Sequence, residues 1–94
     1  MKPEMDPERI KIAWQDPAMM QIGKGGLSDS VIEEARRLLK RHNYMKIRIL
    51  RNAIGDSNKR ELVESLCKES GAKLAGFRGN TAVIYKTREM RGFQ

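Results

Sequence analysis

The segment YMKIRIL, residues 44–50, alternates large apolar side chains with basic ones. Met45, Ile47 and Ile49 fall on one side of an extended chain, and Lys46, Arg48 and Leu50 fall on the other. This period of two predicts a β-strand that is buried on one face and positively charged on its outer face. The segments before and after this strand have the period of helices.

Two amphipathic helices flank this strand in the prediction. The first covers about residues 30–42, and its Ser30 and Glu33 have the spacing of a capping box. The second covers about residues 58–70 and ends at Gly71, which suits a left-handed C-cap. Their apolar stripes consist of Val31, Ala35, Leu38 and Leu39 in the first helix and of Leu62, Val63, Leu66 and Cys67 in the second.

Shorter elements complete the chain. Asp6 suits an N-cap and Pro7 the first helical position, which predicts a short helix over about residues 6–14. AMMQI, residues 18–22, is almost wholly apolar and predicts a strand covered on both faces. AKLAGF and TAVIYK, residues 72–77 and 81–86, predict antiparallel strands joined through RGN.

The predicted fold class is α/β, a single compact domain of order α-β-α-β-α-β-β with a mixed four-stranded sheet and helices packed against it. Right-handed crossovers place the second and third helices on one face of that sheet. We assign residues 1–94 to this domain, with a core over about 17–88 and a basic C-terminal tail over about 87–94.

The charge of the chain is unevenly distributed. The net charge is +7 over 94 residues, and residues 1–35 hold 4 basic and 7 acidic side chains, against 15 basic and 5 acidic ones in residues 36–94. Such a field attracts polyanions, although lysines and arginines can also serve only to solvate helix faces. No apolar run approaches a membrane span and no secretory signal is present, so the expected compartment is the cytoplasm, in agreement with the single cysteine.

Catalytic and metal sites are not expected from this sequence. The GKGG segment, residues 23–26, lies before a helix, but a P-loop requires GxxxxGK[ST], and Lys24 precedes the glycine pair. His42 is the only histidine and is expected as a cation at a helix C-terminus, while Cys67 is expected in the core. One histidine and one helical cysteine do not make a metal site, so we predict no metal and no cofactor.

The GFRG segment, residues 76–79, sets Phe77 and Arg78 between two glycines. A plain hairpin turn is one interpretation. A second is an RNA-binding loop, because glycines expose backbone amides while the ring and the guanidinium offer stacking and charge. The basic side chains Lys46, Arg48, Arg51 and Lys86 would then supply electrostatic attraction to phosphates.

Three segments, QIGKGGLSDSVIEEA, YMKIRIL and GFRGNTAVIYK, closely resemble the CRM domain, the chloroplast RNA splicing and ribosome maturation family. The resemblance covers about residues 17–88. It implies an RNA-binding domain whose GxxG loop, here residues 76–79, contacts RNA. Stand-alone YhbY-like members associate with precursors of the large ribosomal subunit, whereas plant multi-domain relatives promote group II intron splicing, and a one-domain chain is similar to the first kind.

We therefore predict a non-enzymatic RNA-binding protein with ribosomal RNA precursors and pre-ribosomal particles as partners, without a small-molecule substrate or a membrane. The alternatives are a general architectural protein on duplex DNA or RNA and a nucleotide-binding enzyme using the GKGG loop. The first helix carries Glu4, Asp6 and Glu8 and is shorter than is usual in the family, which does not favour its contact with RNA. The predicted RNA-binding residues are Gly76, Phe77, Arg78, Gly79, Asn80, Lys24, Lys46, Arg48, Arg51 and Lys86.

Overall fold

Helices and strands alternate along the chain in the computed structural model, which describes residues 6–23, 25–51 and 58–86. Three helices lie wholly within these residues, α1 (Pro7–Gln15), α2 (Asp29–His42) and α3 (Lys59–Ser70). The strands are β1 (Met20–Ile22), β2 (Tyr44–Ile49), β3 (Lys73–Arg78) and β4 (Thr81–Tyr85). This order confirms the predicted α-β-α-β-α-β-β arrangement.

The four strands form one mixed sheet with the order β1-β2-β4-β3. Strand β1 runs parallel to β2, whereas β4 is antiparallel to both β2 and β3. Strands β1 and β3 are therefore the edges, and β2 and β4 lie in the centre. The mixed four-stranded sheet is confirmed.

Helices α2 and α3 pack on one face of the sheet, as predicted from the crossover rule. The core between them and the sheet includes Leu39, Ile47, Leu66 and Ile84, each with 0% of its surface exposed. Cys67 is buried in the same core. The assignment of Cys67 to packing is thus confirmed, and burial raises the pKa of its thiol to about 12.

Helix α1 covers the opposite face of the two central strands. Its buried Ala13 packs in a second small core against Tyr44, Val83 and Tyr85. The two tyrosines are cross-strand neighbours whose stacked rings lie 5.5 Å apart. With nine residues, α1 is about 14 Å long, so it leaves part of this face uncovered.

Both ends of α1 are fastened to strand β2 and its surroundings. The Asp6 amide donates to the Tyr44 hydroxyl at 2.9 Å, and the Arg9 guanidinium lies 5.0 Å from the centre of the Tyr44 ring. At the other end, Lys46 Nζ donates to the Trp14 carbonyl at 2.9 Å. Because the last turn of α1 has no basic residue of its own, Lys46 supplies the positive charge that a helix C-terminus favours.

Strand β1 differs from the prediction of a strand covered on both faces. It comprises only Met20–Ile22, and its Gln21 is exposed. Gln21 faces the side of the sheet that carries α1. Because the short α1 covers only the central strands and β1 is an edge strand, Gln21 remains exposed and the prediction fails. Met20 and Ile22 face the main core as expected.

The start of α2 also differs from the predicted capping box at Ser30 and Glu33. Ser28, in extended backbone with φ −78° and ψ 167°, is the N-cap, and its hydroxyl accepts from the Val31 amide at 3.3 Å. Glu33 instead forms an ion pair with Arg36 at 3.1 Å. The sequence contains two serines two residues apart, and the one whose backbone is still extended takes the capping role.

The C-terminus of α3 matches its prediction. Gly71 caps the helix in the left-handed region with φ 78°. Lys86 Nζ donates to the Ser70 carbonyl at 3.0 Å, so a strand-end lysine again stands at a helix C-terminus. The described helices have 9, 14 and 12 residues, and none of them has the length and apolar character needed to cross a membrane.

Candidate nucleic-acid interface

A two-residue turn, Gly79–Asn80, joins β3 to β4, and the pair Arg78 and Thr81 closes it. Gly79 has φ 59°, which glycine adopts without strain. The strand predicted over residues 72–77 contains Gly76 and Phe77, as observed. The loop that the family resemblance implies over residues 76–79 is shorter in this structure, since Gly79 is the only one of the four in the turn. Gly76, Phe77 and Arg78 belong to strand β3 because they continue its pairing with β4 up to the turn.

Phe77 faces the side of the sheet that carries α2 and α3. It is half-buried against the main core and pairs with the buried Ala82. The Lys59 ammonium and the Arg60 guanidinium lie 5.8 Å and 5.4 Å from the centre of its ring. The ring thus already has two cationic neighbours, which supports a role in positioning them.

Arg78 faces the opposite side of the sheet, where α1 lies. Its side chain is exposed, and its guanidinium lies 4.6 Å from the centre of the Trp14 ring. Arg78 and Phe77 therefore cannot both act on one side of the sheet, since neighbouring side chains in a strand alternate.

A polar row crosses the sheet on the α1 face, next to the Gly79–Asn80 turn. The backbone pairing aligns Gln21 with Arg48, Arg48 with Thr81, and Thr81 with Arg78. Arg48 and Arg78 are exposed and lie two strand spacings apart, about 10 Å. We call Gln21, Arg48, Thr81 and Arg78 the polar row.

Two further cations approach the turn from the other face of the sheet. Lys59 Nζ donates to the Gly79 carbonyl, and Arg60 follows it in the first turn of α3. Cations at a helix N-terminus oppose the helix dipole, so this placement is not explained by helix stability. Arg60 also pairs with Glu64 at 3.1 Å, but both side chains are more than half exposed, so this pair contributes little to stability.

The turn is thus surrounded by basic residues from three elements. Arg51 is exposed two residues beyond β2, whose Ile49 amide donates to the Asn80 carbonyl at 2.8 Å. We call Arg48, Lys59, Arg60 and Arg78 the turn cluster. Lys59, Arg60 and Trp14 were not among the predicted site residues, because only the tertiary fold brings α1 and the start of α3 to strand β3.

The other predicted basic residues have different surroundings. Lys46 and Lys86 are half-buried and donate to helix-end carbonyls, which gives both a structural role whether or not they contact RNA. Of the basic outer face that was predicted for β2, Arg48 is exposed, whereas Lys46 is covered by α1. Lys24 lies outside the described residues.

Two amides around the GKGG motif are already bonded within the protein. The Gly26 amide donates to the Gly23 carbonyl at 2.9 Å, and the Val31 amide is bonded to Ser28. A phosphate cradle requires such amides to point at the ligand. The amides of Gly26 and Val31 are therefore not available to a phosphate.

The residues that the structure describes, 6–23, 25–51 and 58–86, give no geometric support to a metal site or to a nucleophile. In these ranges no group of three or more His, Cys, Asp and Glu side chains is placed to hold a metal ion. His42 lies in the last turn of α2, and its carbonyl accepts from Arg9 at 3.3 Å. The raised pKa of Cys67 keeps its thiol protonated, which is unfavourable for a nucleophile.

Known proteins match most of this chain. YqeI of Bacillus subtilis strain 168, named a "Probable RNA-binding protein", is 35% identical over 68 residues, which cover 72% of this chain and 69% of YqeI. The solution structure of SAV1595 from Staphylococcus aureus, described as a candidate RNA-binding protein, has a TM-score of 0.68 and 30% identity, and the match covers 82% of this chain and 78% of that one. The sequence model of the CRS1/YhbY (CRM) domain matches residues 7–86, which include α1 as well as the sheet. The chain therefore belongs to the CRS1/YhbY (CRM) domain family.

Proposed function

We propose that this protein is a non-enzymatic RNA-binding protein that uses the polar row and the turn cluster. The observation that carries the proposal is the exposure of Arg48 and Arg78 on either side of Thr81, on a part of the sheet that α1 leaves open. Guanidinium groups bind phosphates in a bidentate manner and also stack on bases. The family relationship and the descriptions of both relatives support the same function.

The backbone beside these arginines is accessible to a ligand. Gly76 precedes Phe77 in strand β3, and a side-chain carbon at Gly76 would meet no atom within 4 Å. A sugar-phosphate chain could approach the strand there without displacing protein atoms. The position of Gly76 therefore supports close backbone contact, although the residue lies in a strand.

The RNA target that we propose is precursor ribosomal RNA, in the assembly of the large ribosomal subunit. The support is the resemblance of the segments within residues 17–88 to the CRM family, whose YhbY-like members associate with precursors of the large ribosomal subunit. We propose a cytoplasmic location, which the free thiol of Cys67 supports. Crosslinking in cells, followed by sequencing of the bound RNA, tests the target, and enrichment of intron RNA or messenger RNA over ribosomal precursors would contradict it.

RNA binding itself is tested with a matched pair of charge variants. The double variant Arg48→Gln/Arg78→Gln removes two exposed charges from the polar row. The control Arg37→Gln/Lys40→Gln removes two exposed charges from α2, on the other face of the sheet. Fluorescence anisotropy with a labelled structured RNA that contains a single-stranded loop should show a lower affinity for the first variant, with a salt slope smaller by about 1.4 for two single-strand contacts.

Both variants lose the same net charge. The control variant therefore distinguishes RNA binding at a local site from non-specific attraction by the net positive charge of the protein. Equal weakening by the two variants would contradict the proposed site and leave only non-specific attraction. Tighter binding to duplex DNA than to RNA would favour an architectural function. Saturable binding of ATP would favour a nucleotide-binding enzyme.

A further inference from the structure

A groove runs between helix α1 and strand β3, beside the polar row. Helix α1 supplies most of its lining, including Trp14, and strand β3 supplies Arg78. The residues that line it are Pro7, Ile10, Lys11, Trp14, Gln15 and Arg78. Aromatic, cationic and amide side chains thus meet in one groove, although α1 and Arg78 are far apart in the sequence.

Trp14 is held in place by contacts outside the groove. Its carbonyl accepts from Lys46 Nζ, and its half-buried indole packs against the second core beside Ile10. The far end of α1 is fastened through the hydrogen bond between Asp6 and Tyr44. The indole is therefore preorganised, which lowers the entropic cost of stacking a ligand on it.

The Arg78 guanidinium lies over this fixed ring, at 4.6 Å from its centre, and remains exposed. Planar guanidinium groups and indoles both stack with nucleobases. Lys11 is an exposed residue of the lining and can pair with a phosphate, while the exposed Gln15 amide can both donate and accept hydrogen bonds.

We propose that this groove binds one unpaired nucleotide, with its base stacked at the Trp14–Arg78 pair and its phosphate paired with Lys11. The proposal rests on the proposed RNA-binding function and adds a site and a preference to it. The preference is for single-stranded over duplex RNA, because a base inside a duplex is already stacked on its neighbours and is not available to the groove. Helix α1 would thus take part in RNA binding despite its acidic start.

Trp14 offers a direct test because it is the only tryptophan in the chain. Titration of the parent protein with an unlabelled oligouridine should change the intrinsic tryptophan fluorescence, and a blunt RNA duplex of the same length should not change it. Binding of both RNAs is measured in parallel by competition against a labelled RNA. The Trp14→Leu variant, which removes the ring but keeps apolar bulk, should bind oligouridine about 5- to 150-fold more weakly.

The controls distinguish a loss of affinity caused by unfolding from one caused by the loss of stacking. Trp14→Phe retains a ring and should lose less affinity than Trp14→Leu, with circular dichroism reporting that each variant is folded. If Trp14→Leu does not fold, Lys11→Gln and the fluorescence of the parent still test the site. Lys11→Gln should reduce the salt slope for oligouridine by about 0.7.

Two failures can be distinguished. If the parent binds oligouridine with no change in tryptophan fluorescence, and neither Trp14→Leu nor Lys11→Gln alters the binding, the groove is not a nucleotide site but the RNA-binding function stands. If the parent binds no RNA in the competition assay, the proposed function itself fails.

Discussion

Phe77 and Arg78 are consecutive in strand β3 but act on opposite faces of the sheet. The Phe77 ring lies within 5.8 Å of the Lys59 ammonium on the α3 side, and the Arg78 guanidinium lies 4.6 Å from the Trp14 ring on the α1 side. The end of one strand therefore organises cations on both faces next to the Gly79–Asn80 turn. A ligand that surrounds the turn would meet positive charge from both directions.

The opposite orientations predict different results for Phe77→Ala and Arg78→Ala. Phe77→Ala removes a half-buried ring from the main core and should lower the free energy of unfolding by about 1–3 kcal/mol. Arg78→Ala should change stability by less than about 1 kcal/mol but reduce the salt slope of single-strand RNA binding by roughly 0.7. Chemical denaturation and salt-dependent titrations measure the two effects, and a stable Phe77→Ala protein with strongly reduced affinity would instead indicate direct stacking on RNA.

Lys46 and Arg48 are neighbours on the same face of β2, and the structure predicts separate roles for them. Lys46→Met removes the hydrogen bond to the Trp14 carbonyl and should lower stability by about 0.5–1.5 kcal/mol. Arg48→Gln should leave stability unchanged, because Arg48 is exposed, and should weaken RNA binding with a slope change of about 0.7. Unfolding curves that move equally for the two variants would show that the contact between Lys46 and helix α1 adds nothing to stability.

Two glycines near the turn are expected to respond differently to alanine. Gly79 has φ 59°, so Gly79→Ala should cost about 1–2 kcal/mol of stability. At Gly76 a side-chain carbon meets no atom within 4 Å, so Gly76→Ala should fold as well as the parent or be stabilised slightly. A loss of RNA affinity in a stable Gly76→Ala variant would support close approach of the sugar-phosphate chain to Gly76. An unchanged affinity would show that the RNA does not make this contact.

The buried thiol of Cys67 predicts a pH dependence of stability. Its folded-state pKa is raised from 9.0 to about 12 by burial, with a smaller contribution from the charge of Glu64. Because the thiol ionises more readily when the chain is unfolded, its contribution is complete below pH 9 and is lost as the pH rises toward 12. The stability difference between the parent and Cys67→Ala should therefore shrink over that range in urea titrations, whereas a constant difference would contradict the burial of the thiol.

Periodic patterns in the sequence predicted the element order, the mixed sheet and the burial of Cys67. These features depend on local spacing, as in the alternation of Met45, Ile47 and Ile49. The exposure of Gln21 could not be predicted in this way, because it depends on how far α1 extends over the sheet. The N-cap of α2 was misplaced because Ser28 and Ser30 are both suitable residue types.

The candidate site was predicted only in part for a similar reason. Arg48, Arg51 and Arg78 were identified from local pattern and family resemblance, and all three are exposed. Lys59 and Trp14 are far from β3 in sequence, so only tertiary packing reveals them. The extent of the glycine loop was overestimated because GxxG spacing does not say where strand pairing stops, and the pair Arg78 and Thr81 determines this.

The most direct test of the central claim is a chemical-shift map of the backbone amides, recorded while the isotopically labelled protein is titrated with a structured RNA that contains a single-stranded loop. We predict that the largest saturable changes occur at Arg48, Arg78, the Gly79–Asn80 turn and Thr81. The chemical shifts of the Arg37 and Lys40 amides, in α2 on the other face of the sheet, should change little. Changes concentrated on α2 and the GKGG segment, with the turn unaffected, would contradict RNA binding at the polar row and the turn cluster.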